Sequence, residues 1–110
     1  MISFKQIQDI TTKIIDEFHP ERIVLFGSYA HGEATTDSDV DLLVIMPSFA
    51  GKNVLKAIEI IKKVQPTFPM DLLVRTSDEV QRRVAMNDYF LKDITEKGAV
   101  LYEADHAGMV

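Results

Sequence analysis

The chain has 110 residues, 46% of them apolar and 26% charged, which is room for one domain with one core and is ordinary for a globular protein. It has no cysteine, so a disulfide framework and a thiolate metal site are both excluded. The net charge of −5, the short apolar runs and a start, Met1-Ile2-Ser3-Phe4-Lys5, without leader features predict a cytoplasmic protein with no membrane contact and no direct nucleic-acid partner.

Phe4, Ile7, Ile10, Ile14 and Phe18 recur at spacings of three and four, which predicts an amphipathic helix over residues 3–18. Ser3 and Gln6 form a capping-box pattern at its start, and His19-Pro20 ends it, because the residue before a proline avoids the helical region. Arg22 to Phe26 reads as a first strand, residues 28–31 as one helical turn and residues 33–38 as a polar loop. Val40 to Met46 reads as a second strand, closed by Pro47. Val54, Ala57, Ile58, Ile61 and Val64 keep helical spacing up to Gln65-Pro66, with Lys56, Glu59, Lys62 and Lys63 left for the outer face. Met70 to Arg75 reads as a third strand. Thr76 and Glu79 repeat the capping-box pattern and predict a helix over about residues 77–84, broken at Asn87-Asp88. A last helix from Tyr89 to Lys97, stopped by Gly98, and a last strand over residues 99–103 complete the order. There is no repeat, low-complexity segment or linker. The expected organisation is one domain over residues 1–103 and a flexible tail over 104–110. The fold class is α/β (α+β), one sheet of about four strands with helices packed on it.

Two stretches carry chemistry. The run Ile23-Val24-Leu25-Phe26 stops at Gly27-Ser28, and a second run, Ser38-Asp39-Val40-Asp41-Leu42-Leu43-Val44-Ile45, opens with two carboxylates. Alternation along a strand points Asp39 and Asp41 the same way, with Cβ atoms about 7 Å apart. Like charges held so close are costly unless a cation sits between them, and a divalent metal is the simplest candidate. The glycine–serine corner can present backbone N–H groups and a hydroxyl to an anion. Metal carboxylates beside an anion cradle point to phosphate chemistry.

Three other phosphate or metal motifs fail. Gly27 and Gly32 have the outer spacing of a P-loop, but Glu33-Ala34 stands where Lys-Ser/Thr is required. No Gly-x-Gly-x-x-Gly occurs. Asp37, Asp39 and Asp41 imitate half a calcium loop, but Leu42 and Ser48 occupy the positions that need Gly and a bidentate Glu.

What remains is Gly27-Ser28-Tyr29-Ala30-x-Gly32, then Ser38-Asp39-x-Asp41-Leu42, then Asp71 on a third strand. This pattern resembles the nucleotidyltransferase superfamily typified by DNA polymerase beta. It is most similar to the minimal nucleotidyltransferases, small antitoxins paired with HEPN-family ribonuclease toxins. The resemblance covers most of the chain. It implies the nucleotidyltransferase fold with a mixed sheet, and transfer of AMP from ATP to a hydroxyl with the help of two Mg2+ ions. It further implies that Asp39, Asp41 and Asp71 are the catalytic metal ligands, with Asp71 nearest the acceptor, and that Gly27 and Ser28 hold the triphosphate. His31 stands where the superfamily often has arginine, and is the third nucleotide-binding candidate. The implied partner is a HEPN toxin with a tyrosine as acceptor, silenced by AMPylation within a hetero-oligomer. Two rivals are a steric antitoxin that needs no catalysis and transfer to a small molecule, which the lack of an acceptor domain disfavours. Arg75 reads as a surface ion-pair residue and Tyr89-Phe90 as core, whereas His19 belongs to a helix end and His106 to the tail.

Overall fold

The computed structural model describes residues 1–105. Its elements in chain order are α1 (Phe4–Phe18), β1 (Arg22–Phe26), β2 (Val40–Met46), α2 (Asn53–Val64), β3 (Met70–Thr76), α3 (Ser77–Ala85), α4 (Tyr89–Lys97) and β4 (Ala99–Glu103). The four strands form one mixed sheet in the order β3-β2-β1-β4. β1 runs antiparallel to both β2 and β4, while β2 and β3 are parallel.

α1 begins as its cap residues dictate. The Gln6 N–H donates to Ser3 Oγ at 3.1 Å, and the Ser3 N–H donates to Gln6 Oε1 at 2.9 Å, so two otherwise orphaned donors are satisfied reciprocally. It ends at His19, which takes a left-handed conformation with φ 51° and donates its N–H to the Ile15 carbonyl at 3.0 Å. A left-handed cap closes the helix before Pro20, where an extended residue was expected. Gly98 ends α4 for a different reason. Its φ is −70°, and a Cβ there would lie 2.5 Å from both the Ile94 carbonyl oxygen and Val24 Cγ1, so the helix end needs a glycine for close approach rather than for a positive φ.

Alternation along the strands divides the sheet into two faces. Ile23, Leu25, Val40, Leu42, Val44 and Val74 face α1 and α2, against Ile7, Ile10, Ile14, Ile60 and Val64. Val24, Leu43 and Ile45 face α3 and α4, against Val80, Leu91 and Ile94. Buried on both faces, β2 reads as a continuous apolar run after Asp41.

α2 is rotated from the face that spacing predicts. Ile60 and Val64 are its buried residues, Val54 and Ile58 are exposed, and the Lys56 side chain is only 18% exposed, with Nζ 5.3 Å from the centre of the Phe49 ring. The apolar arc of this helix is broad, running from Ile60 round to Leu55, so periodicity alone does not select which part of it packs. At the C-terminal end, the Ala104 N–H donates to the Glu21 carbonyl at 2.8 Å, tying the first residue of the expected tail to the sheet. Residues 106–110, with His106, lie outside the described residues. No helix among the described residues is long and apolar enough to cross a membrane.

Candidate active site

The sequence candidates meet at one end of the sheet. β1 arrives there with its last residues, whereas β2 and β3 both start there. The Val40 N–H donates to the Pro69 carbonyl at 3.1 Å. That bond locks the two strand starts together and sets Asp41 directly opposite Asp71, with Phe26 opposite Asp41 on the other side. By strand parity Asp41 and Asp71 lie on the α3–α4 face, in line with Leu43 and Leu73. Asp39 stands just outside β2 and is delivered by a loop that holds itself: the Thr35 N–H donates to Ser38 Oγ at 2.9 Å and the Ser38 N–H donates to the Thr35 carbonyl at 3.1 Å.

Asp41 lies between the charges of the other two carboxylates. Partial burial raises the Asp41 carboxyl above its ordinary value, and the negative charges of Asp71 and then Asp39 raise it further. None of the ion pairs among the described residues uses any of the three. Nor do three His, Cys, Asp or Glu side chains of the described residues close into a ready-made metal cage. The cluster is therefore a concentration of negative charge without a protein cation to balance it.

Beside it is the glycine–serine corner. Gly27 has φ +74°, and a Cβ built there would strike the Asp41 carboxylate. Only glycine gives both that backbone conformation and that proximity. The turn that follows is held by bonds from the Ala30 N–H to the Gly27 carbonyl at 3.1 Å and from the Glu33 N–H to the Ser28 carbonyl at 2.9 Å. It does not continue into a helix. The Ser28 and Tyr29 N–H groups have no acceptor within this turn. Tyr29 and Ala30 pack on the α1–α2 core, and the Tyr29 hydroxyl accepts from the Ile2 N–H at 3.0 Å. The corner is thus fixed from behind while its front faces Asp41. His31 is exposed in the same turn.

Two sequence readings are corrected. Tyr89 and Phe90 are not core: they are 79% and 55% exposed. Leu91 and Ile94 carry the packing of α4; Tyr89 lies off that stripe, while Phe90, one turn before Ile94, is on its side of the helix but in the open first turn. For Tyr89 the signal was present in that spacing; for Phe90 it was not. Phe90 instead meets Phe26 edge to face, ring centres 6.0 Å apart, next to the strand position that opposes Asp41. Asp88, the cap of α4, accepts from the Leu91 N–H at 3.1 Å and pairs with Arg83 at 2.9 Å. Both interactions hold its carboxyl below the ordinary range, the backbone bond being the larger cause. Arg75 forms no ion pair among the described residues. Its Nη1 donates to the Val74 carbonyl at 2.7 Å.

A model of the nucleotidyltransferase domain matches residues 7–101. A Methanocaldococcus jannaschii protein, named provisionally as a protein adenylyltransferase, is 32% identical over 105 residues, covering 87% of this chain and 95% of its own length. Protein adenylyltransferase MntA of Thermococcus cleftensis is 32% identical over 83 residues, covering 70% of this chain and 82% of its own. Among solved structures, a Sulfolobus solfataricus protein described provisionally as a nucleotidyltransferase superposes with a TM-score of 0.58 at 24% identity, over 71% of this chain and 70% of that one. A toxin–antitoxin structure with AMP-PNP superposes with a TM-score of 0.51 at 18% identity, over 93% of this chain and 77% of that one. Both likenesses are of fold.

Proposed function

This chain belongs to the nucleotidyltransferase domain family, and on that premise we propose that it transfers AMP from ATP to a hydroxyl, a tyrosine's, of a HEPN-type partner toxin that it thereby silences. The observation that carries this reading is the register of β2 and β3, which brings Asp41 and Asp71 side by side next to Gly27. The 32% identical relatives named as protein adenylyltransferases support a protein acceptor.

The chemistry follows from the residues. The Gly27–Ser28 corner receives the triphosphate on its unbonded N–H groups, and Gly27 lets phosphate oxygens approach the backbone. His31, at the rim of the same turn, is a further donor for that tail. Asp39, Asp41 and Asp71 suit hard divalent cations, because three carboxylates without a protein counter-charge are an oxygen donor set in deficit of positive charge. Magnesium held by these three residues supplies neutralisation of the charge that builds on the phosphate oxygens. Asp71, exposed and carried on the edge strand, orients the acceptor hydroxyl and takes its proton. The acceptor oxygen then bonds to the α-phosphorus, the bond from that phosphorus to the β-phosphate bridging oxygen breaks, and pyrophosphate leaves with the electron pair.

The test is to mix the protein with the product of the neighbouring gene, ATP and magnesium, and weigh both chains. A gain of one or more AMP units on the neighbour is the expected result. Tight binding with no gain in mass, together with protection from the toxin that survives Asp39→Ala plus Asp41→Ala, overturns it in favour of a steric antitoxin.

A further inference from the structure

β3 is an edge strand, paired on one side with β2 and, among the described residues, with nothing on the other. The bond from the Val40 N–H to the Pro69 carbonyl fixes the phase of this parallel ladder. Backbone groups alternate sides along a strand, so Asp71, Leu73 and Arg75 turn theirs toward β2 while Leu72 and Val74 turn theirs outward. An open edge is a template for another strand and is usually covered or blocked. Here the block is one side chain: the Arg75 guanidinium folds back onto the outward Val74 carbonyl at 2.7 Å.

The edge lies in a groove of about 720 Å³, walled by Asn53, Val54 and Ala57 of α2 on one side and by Arg83, Asp88 and Phe90 of the α3–α4 elbow on the other. Val54 and Phe90 form exposed apolar lips, 62% and 55% accessible. Of the other charged groups in the groove, Arg83 pairs with Asp88 and Glu79 is engaged by the neutral Asn53 amide, which donates to it at 2.9 Å. Arg75 is left with no carboxylate partner among the described residues. It stands four residues beyond Asp71 on the same face of β3.

We infer that this edge is the docking site of the acceptor protein, which adds an extended segment to β3 and presents its hydroxyl-bearing residue opposite Asp71. The inference rests on the reading of a protein acceptor given above. Main-chain bonds to the Leu72 N–H and carbonyl hold the segment, and cross-strand side-chain pairs set its register. In that register the residue opposite Arg75 is four positions from the acceptor and points the same way. A cation there selects a carboxylate, so the segment carries Asp or Glu four residues from its reactive hydroxyl. That carboxylate draws Arg75 off the Val74 carbonyl and frees it to extend the ladder.

The test uses the full chain with the neighbour-encoded acceptor, ATP and magnesium, reading AMP incorporation by mass and the acceptor KM. Leu72→Pro removes an outward N–H that the β2 ladder does not use, and Arg75→Glu reverses the selecting charge. Each variant raises the acceptor KM by about tenfold or more. The loss in Arg75→Glu is recovered when the acceptor's carboxylate four residues from the modified position is changed to arginine. Independently of whether Leu72→Pro folds, hydrogen exchange on the wild-type protein slows at the Leu72 and Val74 amides when the acceptor is added. Transfer at an unchanged acceptor KM in Arg75→Glu, with those amides exchanging alike with and without acceptor, overturns the docking site and leaves the transferase reading intact. If no AMP is transferred at all, that reading fails, and the exchange measurement still decides whether the partner sits on this edge.

Discussion

On the face covered by α1 and α2, the sheet buries Ile7, Ile10, Ile14, Leu42, Val44 and Ile60 against one another. At the end of the opposite face, Asp41 and Asp71 stand side by side with Asp39 close by, and Gly27 is pressed to the Asp41 carboxylate. The first region follows most local rules: α1 is capped at Ser3, its stripe is apolar, and the strands opposite are apolar, with His19 ending the helix at a positive φ. The second breaks several together, with like charges clustered, a positive φ and exposed aromatic rings at Tyr89 and Phe90. Like charges gathered on a glycine that admits no side chain, with no ion pair to balance them among the described residues, mark where stability has been given up for chemistry.

The contrast is sharpest at Asp41, where one substitution should move activity and stability in opposite directions. Asp41→Asn removes a metal-binding oxygen, so AMP transfer falls by about a thousandfold or more, roughly 4 kcal/mol at the transition state. The folded chain favours the protonated form of this carboxyl, so its ionisation at neutral pH costs stability. Asparagine lifts that cost, and the melting temperature in a chelator rises slightly, because solvent screens a carboxyl that is only partly buried. Urea titration and initial rates read the two effects separately. A drop in stability equal to that of a core mutant would mean that the two regions do not differ in kind. The matching change on the other side is Ile14→Ala, at a side chain with no exposed surface. It costs about 2–5 kcal/mol in urea titration, as the cavity of a large core residue does, while the transfer rate per folded molecule stays near wild type.

Gly27→Ala sits on the boundary between the regions. It forces a side chain into the left-handed conformation, a cost of about 1–2 kcal/mol, and pushes on the Asp41 carboxylate. Displacement of that carboxylate on the order of 1 Å lowers the transfer rate about a hundredfold, with the ATP KM rising as the triphosphate corner moves. A loss of stability without a loss of rate would make Gly27 a turn residue only.

Most of this was legible in the sequence because local and global signals agree. β1, β2 and α4 fall on the predicted boundaries since Pro47, Asp88 and Gly98 punctuate them. The pairing of Asp41 with Asp71 was not legible as geometry. It needs the parallel register of two strands separated by α2, and long-range register is set by packing rather than by any local pattern. The face of α2 was misread because its apolar arc is wider than the stripe that packs. Tyr89 and Phe90 were misread because aromatic residues suggest burial, whereas Leu91 and Ile94 fix the packed face of that short helix. The role of Arg75 was hidden because its partner is a backbone carbonyl on an open edge, which no sequence pattern records.

The smallest effect tests whether the two regions are independent. Ser3→Ala breaks the capping box of α1 and should cost about 1 kcal/mol. The neighbouring Ile2 N–H donates to the Tyr29 hydroxyl at 3.0 Å, so the start of α1 is linked to the corner that holds Gly27 and Ser28. If that bond positioned the corner, fraying the first turn would lower the transfer rate as well. The packing of Tyr29 and Ala30 on the core argues that it does not, since buried contacts on both side chains outweigh one partly exposed hydrogen bond of about 1 kcal/mol. The expected outcome is a small shift of the urea midpoint with kcat unchanged. A parallel fall in kcat would show that the stable face reaches into the site through Tyr29.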